Sequence, residues 1–175
     1  MRFNASLIVA MLAFAGVAQA QNAAPAVNPL DAIPEKMPFA ALYGAPIALA
    51  PAQAAIAAAV AEANKRGWPM NIAVYDSGAN LVSFARMDGA QLGSIAISEH
   101  KARAAVKYRR ETKVFEDNVQ LRGFNYLLSL DDVVASRGGI LLMDGGKIVG
   151  SIGCSGGSGS QDEVVCKAGA AAVSK

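Results

Sequence analysis

The segment from Gly150 to Gly169, GSIGCSGGSGSQDEVVCKAG, constrains the fold most, because an apolar strand, a Ser-Gly loop and a helix follow one another within it. Its six glycines let the backbone approach a ligand or a neighbouring element more closely than residues with a Cβ allow. The helix begins Gln161-Asp162-Glu163, so carboxylates occupy its first turn. The sequence therefore predicts a close-packed strand-to-helix turn.

The loop at residues 155–160, SGGSGS, has two interpretations. Unpaired N–H groups at a helix N-terminus bind anions, which favours a loop that lines a ligand. Asp162 and Glu163 satisfy the same helix dipole, which favours a structural turn with acidic capping. No Gly-Lys-Ser/Thr follows, so the loop is not a phosphate-binding P-loop.

The first twenty residues have the pattern of a secretory signal. Arg2 precedes an apolar run from Leu7 to Val17, and Ala18-Gln19-Ala20 forms a small-residue cleavage site. The run is too short to span a bilayer, and no later stretch suits a membrane span. We therefore expect residues 1–20 to be removed, which leaves one exported domain, periplasmic or secreted.

Charge excludes one class of partner and favours another. Without Arg2 the chain has 15 basic and 14 acidic residues, so no overall field attracts nucleic acid. Basic residues nevertheless concentrate in one predicted helix and just after it. They spread around more than one side of the helix, so part of the cluster is solvated, and their excess favours carboxylate ligands such as propionates or an organic acid. These residues are Lys101, Arg103, Lys107, Arg109, Arg110 and Lys113.

Residues 21–50 form a Pro-rich N-terminal arm, since this stretch and Pro51 hold six of the seven prolines. The pattern suits an extended segment. The alternative is an arm that wraps over a neighbouring subunit, because Phe39, Leu42, Tyr43 and Ile47 are large apolar residues to leave in water.

Residues 51–175 alternate between helical and strand patterns. Strand pairs joined by tight turns predict an antiparallel sheet that is covered by helices, an α+β fold. The predicted helices are 52–66, 94–110 and 161–173, with an amphipathic piece over 115–130 that Gly123 interrupts, and the predicted strands are 71–75, 81–86, 140–143 and 147–153.

The two cysteines, Cys154 and Cys166, lie on the predicted strand and helix of the segment 150–169. An exported protein meets an oxidising compartment, so we favour a disulfide, which stabilises by about 3 kcal/mol for so short a loop. Two buried free thiols and thiolate ligation of a metal are the alternatives, although the spacing matches no zinc signature.

His100 is the single histidine. On a helical wheel it lies at the rim of a polar arc with Glu99, Arg103 and Lys107. It is either an exposed imidazole or a functional one, that is, an axial haem ligand or a proton shuttle. A histidine-rich metal site is excluded, and any hydrolase chemistry would rest on His100 alone.

The stretches 70–117 and 138–169 resemble the GlcG/HbpS family of haem-binding proteins, also found as the C-terminal domain of PduO-type corrinoid adenosyltransferases. The resemblance covers roughly residues 51–173. It implies a profilin-like, five-stranded antiparallel sheet flanked by helices, and assembly into dimers or larger rings. The residues that carry it are Asp76, Arg86-Met87-Asp88, Lys101-Ala102-Arg103, Ser155-Gly156 and Gln161-Asp162.

The resemblance implies an exported protein that binds haem or another small anionic ligand, for storage or sensing. His100 or a tyrosine, Tyr75, would approach the iron, and Lys101, Arg103 or Lys107 would pair with propionates. Ser155, Gly156 and Asp162 would line the groove. One alternative is an enzyme or accessory protein for a small organic acid or carbonyl compound, with Asp76, Lys101 and Asp162 as acid-base groups. Another is a structural partner that uses the arm.

Overall fold

The computed structural model describes residues 27–37 and 39–174. The predicted signal sequence, residues 1–20, lies outside the described residues, as do residues 21–26 of the arm. Residues 27–33 belong to a separate unit with one turn of 3₁₀ helix, Pro29–Asp31, which the Asn28 side chain caps. The described residues from 34 onward form the second unit, which contains the sheet.

Within the described residues, this second unit contains four α-helices, four strands and one 3₁₀ helix, in the predicted order and with boundaries that differ by at most three residues. No helix among them is long and apolar enough to cross a membrane. The elements are α1 (Leu49–Arg66), β1 (Asn71–Asp76), β2 (Leu81–Arg86), α2 (Gly93–Lys107), α3 (Lys113–Arg122), the 3₁₀ helix (Asn125–Ser129), β3 (Gly139–Asp144), β4 (Lys147–Ser155) and α4 (Gly159–Ala171).

Backbone conformation explains where the helices end. Gly67 and Gly123 adopt left-handed φ values of 66° and 71° and end α1 and α3, so the predicted break at Gly123 is confirmed. Helix α2 ends at Lys107 rather than at the predicted Arg110, because Arg109 has a φ of 53° and leaves the right-handed helix.

The sheet has four antiparallel strands in the order β2-β1-β4-β3. Both predicted hairpins are present, and β1 joins them by pairing with β4, with Ile72 opposite Cys154 and Ala73 opposite Gly153. The expected fifth strand is absent from the described residues.

The segment before α1 makes only a short contact with the sheet. The Gly44 N–H donates to the Ile148 carbonyl and the Ile148 N–H donates to the Leu42 carbonyl, each at 2.8 Å, and these bonds form a single parallel bridge at Tyr43. Pro46 has no N–H to continue a regular ladder, although the Ile47 N–H still donates to the Val149 carbonyl at 2.8 Å. Helix α1 begins two residues after Ile47. The prediction of five strands was therefore wrong by one strand.

Helices cover both faces of the sheet. Ile72 and Val74 of β1 face α1 and α4 and belong to the main hydrophobic core, together with Ile152 of β4. Ala73 and Tyr75, which point the opposite way, pack against Ala102 of α2. The sheet is thus the middle layer between α2 and the α1-α4 pair.

The described end of the arm, residues 39–47, packs on the domain of its own chain. The Tyr43 hydroxyl donates to the carbonyls of Val106 and Lys107, the last residues of α2, at 2.9 and 3.1 Å. The Arg109 guanidinium lies 4.6 Å from the Phe39 ring centre and donates to the Ala41 carbonyl at 3.3 Å. This part of the arm therefore covers the C-terminal end of α2.

A disulfide joins Cys154 at the end of β4 to Cys166 in α4, and both residues are completely buried. The bridge was the favoured interpretation of the two cysteines, and the structure contains it. It attaches α4 to the middle of the sheet.

We predict that reduction of the disulfide, or the double replacement Cys154→Ala and Cys166→Ala, lowers the free energy of unfolding by about 2–4 kcal/mol. Urea titrations with and without a phosphine reductant measure the loss. The double variant is the control, because reductant should not change its midpoint. A thiol assay on unfolded, unreduced protein that finds two titratable thiols per chain would show that the bridge does not form.

Candidate functional site

Helix α2 provides half of the predicted ligand-binding residues and lies very close to the sheet. A Cβ on Gly139 would stand 2.3 Å from the Lys101 carbonyl oxygen, and a Cβ on Gly153 would stand 2.1 Å from the Ser98 carbonyl oxygen. Only glycine permits this approach. Because one side of α2 rests on the strands, Lys101 projects into the interior while His100 remains exposed.

Lys101 and Asp162 form a buried ion pair at the end of the sheet. Lys101 Nζ lies 2.7 Å from Asp162 Oδ2, and the side chains are 1% and 3% exposed. Nζ also donates to the Cys154 carbonyl at 3.3 Å. Gly138, at a φ of 114°, leaves room for the pair, since a Cβ there would lie 2.8 Å from the Asp162 Cβ.

The other oxygen of Asp162 closes the Ser-Gly loop. Asp162 Oδ1 accepts hydrogen bonds from the N–H groups of Gly156 and Gly157, at 3.1 and 3.0 Å. Ser158 and Gln161 form a capping box at the start of α4. The loop donors that an anion would need are thus largely occupied, which agrees with the structural interpretation of the loop and not with the ligand-lining one.

Asp162 is held as a carboxylate by these contacts, because both of its oxygens accept hydrogen bonds and a protonated carboxyl would have to donate one. Burial raises the pKa of Asp162, while the Lys101 ammonium and the two loop N–H groups oppose this rise. The pair is therefore a structural connection between α2 and α4, with almost no exposure to solvent.

A second polar network joins Tyr75, Arg103 and Lys107 through Asp132. The Tyr75 hydroxyl accepts a hydrogen bond from Arg103 at 2.9 Å, and Arg103 Nε donates to Asp132 Oδ1 at 3.1 Å. Lys107 also donates to Asp132. The Lys107 ammonium and the Arg103 guanidinium lower the pKa of Asp132, and burial raises the pKa of Tyr75.

The outer face of α2 presents five side chains on the side away from the sheet. His100 stands at its centre and is exposed. Toward the helix start the face is apolar, with Ile97 39% exposed, and toward the helix end it is cationic, with Lys107 42% exposed. The five residues are Ala96, Ile97, His100, Arg103 and Lys107.

The three acid-base candidates of the enzyme hypothesis have structural contacts. Asp76 Oδ1 accepts hydrogen bonds from the N–H groups of Gly78 and Asn80, at 2.8 and 2.9 Å, and thereby shapes the β1-β2 turn. Lys101 and Asp162 pair with each other. Among the described residues, no cluster of three or more His, Cys, Asp or Glu side chains is placed to hold a metal ion.

Sequence reasoning missed Asp132 and Arg137, which organise the charges around α2 and α4. Arg137 NH2 lies 2.6 Å from Glu116 Oε1, and Arg137 NH1 lies 3.4 Å from Glu163 Oε2, so it links α3 to α4. Both residues lie between the 3₁₀ helix and β3, far along the chain from their partners. No local periodicity indicates such long-range pairs.

A model of the family described as haem degrading protein HbpS-like matches residues 47–171. The chain belongs to the HbpS-like family. The match covers α1 to α4 and leaves most of the Pro-rich arm outside, and it confirms the resemblance stated from the sequence.

Two relatives by sequence are similar over much of the domain. Protein GlcG of Escherichia coli strain K12 is 40% identical over 104 residues, which are 59% of this chain and 77% of GlcG. An uncharacterised 15.0 kDa protein from the dhaT-dhaS intergenic region of Citrobacter freundii is 34% identical over 126 residues, which are 70% of this chain and 89% of that protein.

Two solved structures share the fold. A complex of PduOC with heme is 29% identical, with a TM-score of 0.66 over 73% of this chain and 95% of PduOC. A double mutant of Streptomyces reticuli HbpS is 30% identical, with a TM-score of 0.68 over 79% of this chain and 97% of HbpS. The α+β architecture is therefore that of the family.

We predict that Lys101→Met lowers the free energy of unfolding by about 3–5 kcal/mol, because it leaves a buried carboxylate without its cation. Lys101→Met combined with Asp162→Asn should cost less than the sum of the two single variants, since the amide oxygen still accepts from the loop. Urea unfolding of the four proteins gives the coupling energy. Lys107→Met, on an exposed ion pair, is the control and should cost about 1 kcal/mol or less. Additive costs would contradict the pairing.

We predict that the protein loses stability between about pH 5 and pH 3. The Arg137 guanidinium lowers the pKa of Glu116 below 4.5, and the Lys107 ammonium lowers the pKa of Asp132 below 3.8. Each carboxylate therefore contributes stability above its unfolded pKa and loses this contribution as the pH falls through its folded pKa. Glu116→Gln and Asp132→Asn should each flatten the plot of unfolding free energy against pH. The pKa of Asp162 is raised, so its own contribution to stability changes with pH in the opposite direction. A flat profile in this window would exclude the ionic contribution.

Proposed function

We propose that the protein binds haem on the outer face of α2. The observation that carries this proposal is the family match over residues 47–171, together with a structural neighbour that is a complex with heme. Binding fits the surface better than acid-base catalysis does, because Asp76, Lys101 and Asp162 are held in structural contacts.

The outer face of α2 has the groups that a haem needs. The porphyrin supplies four iron ligands, so the protein has to add only an axial donor, and the exposed His100 imidazole is one. Ile97, one turn before His100, offers apolar surface to the porphyrin. Because haem needs only one ligand from the protein, its binding is also compatible with the lack of a cluster of metal ligands among the described residues.

Spacing along α2 supports the same arrangement. A helix rises about 1.5 Å per residue, so Lys107 lies about 10 Å along the axis from His100. This is comparable with the separation of the iron and the propionate carboxylates in haem. Arg103 lies between them on the same face.

Arg103 and Lys107 would supply the positive charges that pair with the haem propionates. Their side chains are 23% and 42% exposed, and they share the carboxylate of Asp132, with which propionates would compete. Lys101, in contrast, is enclosed with Asp162. Tyr75 is buried and accepts a hydrogen bond from Arg103, which makes His100 the better axial candidate.

Bound haem supplies a redox-active iron, which suits storage or sensing. The family description makes haem degradation the second candidate, so a reductant and dioxygen have to be supplied in the test. We also propose that the protein is exported, because a buried disulfide persists best in an oxidising compartment. Assembly into an oligomer stays a prediction that light scattering can test.

We predict a saturable Soret shift when hemin is titrated into the purified protein. His100→Ala should weaken binding at least about tenfold and change the Soret position, because the axial ligand is lost. Arg103→Gln and Lys107→Gln should each weaken it by about fivefold, the loss of one charge-assisted contact. Lys147→Gln, at the exposed first residue of β4, is the control.

Two results would count against this proposal: no saturable shift at about 10 μM hemin, in the micromolar affinity range, or equal affinity of the wild type and His100→Ala. Loss of the Soret band over time in the presence of a reductant and dioxygen, compared with a stable band, distinguishes degradation from storage.

A further inference from the structure

A surface groove of about 390 Å³ lies between the end of α1 and the end of β2, away from the outer face of α2. Its apolar floor packs against the main hydrophobic core, and its rim is polar. The floor consists of Val60, Ala85 and Met87, and the rim consists of Asn64, Arg86 and Asp88.

The rim side chains have no protein partner among residues 27–37 and 39–174. Neither Arg86 nor Asp88 takes part in an ion pair, and the Asn64 side chain makes no hydrogen bond. This sets the Arg86-Met87-Asp88 turn apart from the other residues that carry the family resemblance. Asp76 shapes a turn, and Lys101 and Asp162 pair with each other, whereas the charges of this turn remain available.

The groove is held in shape by backbone contacts. The Met87 N–H donates to the Met70 carbonyl at 3.0 Å, and the Ala90 N–H donates to the Met87 carbonyl at 3.1 Å. Gly89 completes the turn at a φ of 80°, which favours glycine. A ligand therefore meets charges whose backbone is already ordered, which reduces the entropy cost of binding.

We propose that this groove binds a free α-amino acid with an apolar side chain. The Arg86 guanidinium would take its carboxylate in a bidentate contact, and the Asp88 carboxylate would take its ammonium. The side chain would lie on Val60 and Met87. A simple anion would be repelled by Asp88 and a simple cation by Arg86, so the pair of opposite charges selects a zwitterion.

The test follows the Met87 methyl group, which lies in the groove floor. Protein labelled with ¹³C-methyl methionine is titrated with L-leucine, with leucinamide, which lacks the carboxylate, and with N-acetyl-leucine, which lacks the ammonium. We expect leucine to shift the Met87 resonance saturably, with a Kd of about 1 mM or tighter, and the two analogues to bind at least about tenfold more weakly. The Met143 methyl, outside the groove, is the internal reference.

Arg86→Gln and Asp88→Asn should each weaken leucine binding at least about tenfold, the loss of one charge-assisted contact. Arg122→Gln, on exposed α3, is the matched control and should leave it unchanged. Hemin titration of Arg86→Gln should match the wild type, which separates this site from the haem proposal. The proposal is overturned if leucine causes no saturable shift at about 10 mM, or if the analogues shift Met87 as strongly as leucine.

Discussion

The buried contact between Lys101 and Asp162 determines how the layers of this protein fit together. It connects α2 on one face of the sheet with α4 on the other, around the end of β4. Two charges are stable there only because their remaining hydrogen-bonding capacity is used by the Cys154 carbonyl and by the loop N–H groups. The Ser-Gly loop is thus shaped by its own carboxylate, and the disulfide at Cys154 fixes the same junction covalently.

The two proposed binding surfaces lie outside this junction. Among the described residues, the outer face of α2 is exposed while its inner side rests on glycines of β3 and β4. The groove at Arg86 and Asp88 lies on the other side of the sheet, where α1 leaves the end of β2 uncovered. Both surfaces have an ordered backbone, which lowers the entropy cost of binding a ligand.

Local patterns in the sequence were sufficient to predict the four helices, both hairpins and the disulfide. Alternation of apolar and polar residues, glycine caps and turn residues are patterns that extend over a few positions, and they determine where helices and hairpins begin and end. The fifth strand, which the family resemblance implied, was wrong because the segment before α1 forms only an isolated bridge at Tyr43, and Pro46 lacks the N–H that a regular ladder needs. Helical periodicity placed His100 near the surface, but it did not indicate that the Lys101 side chain is buried. It also gave no sign that Asp132 pairs with Arg103, or that Arg137 pairs with Glu116, because these partners lie far apart in the sequence.

The pairing of β1 with β4 has a consequence for the folding of the chain. Residue 72 must find residue 154, so the two hairpins join only after a long loop has closed, which is a slow step. The bridge between Tyr43 of the arm and Ile148 also forms only after a long loop has closed. The middle of the sheet is therefore completed only after β4, which follows β1 by more than 70 residues, has been synthesised. A chain that lacks residues 139–171 keeps the β1-β2 hairpin and α1, but it has lost β4, the strand that pairs with the other edge of β1.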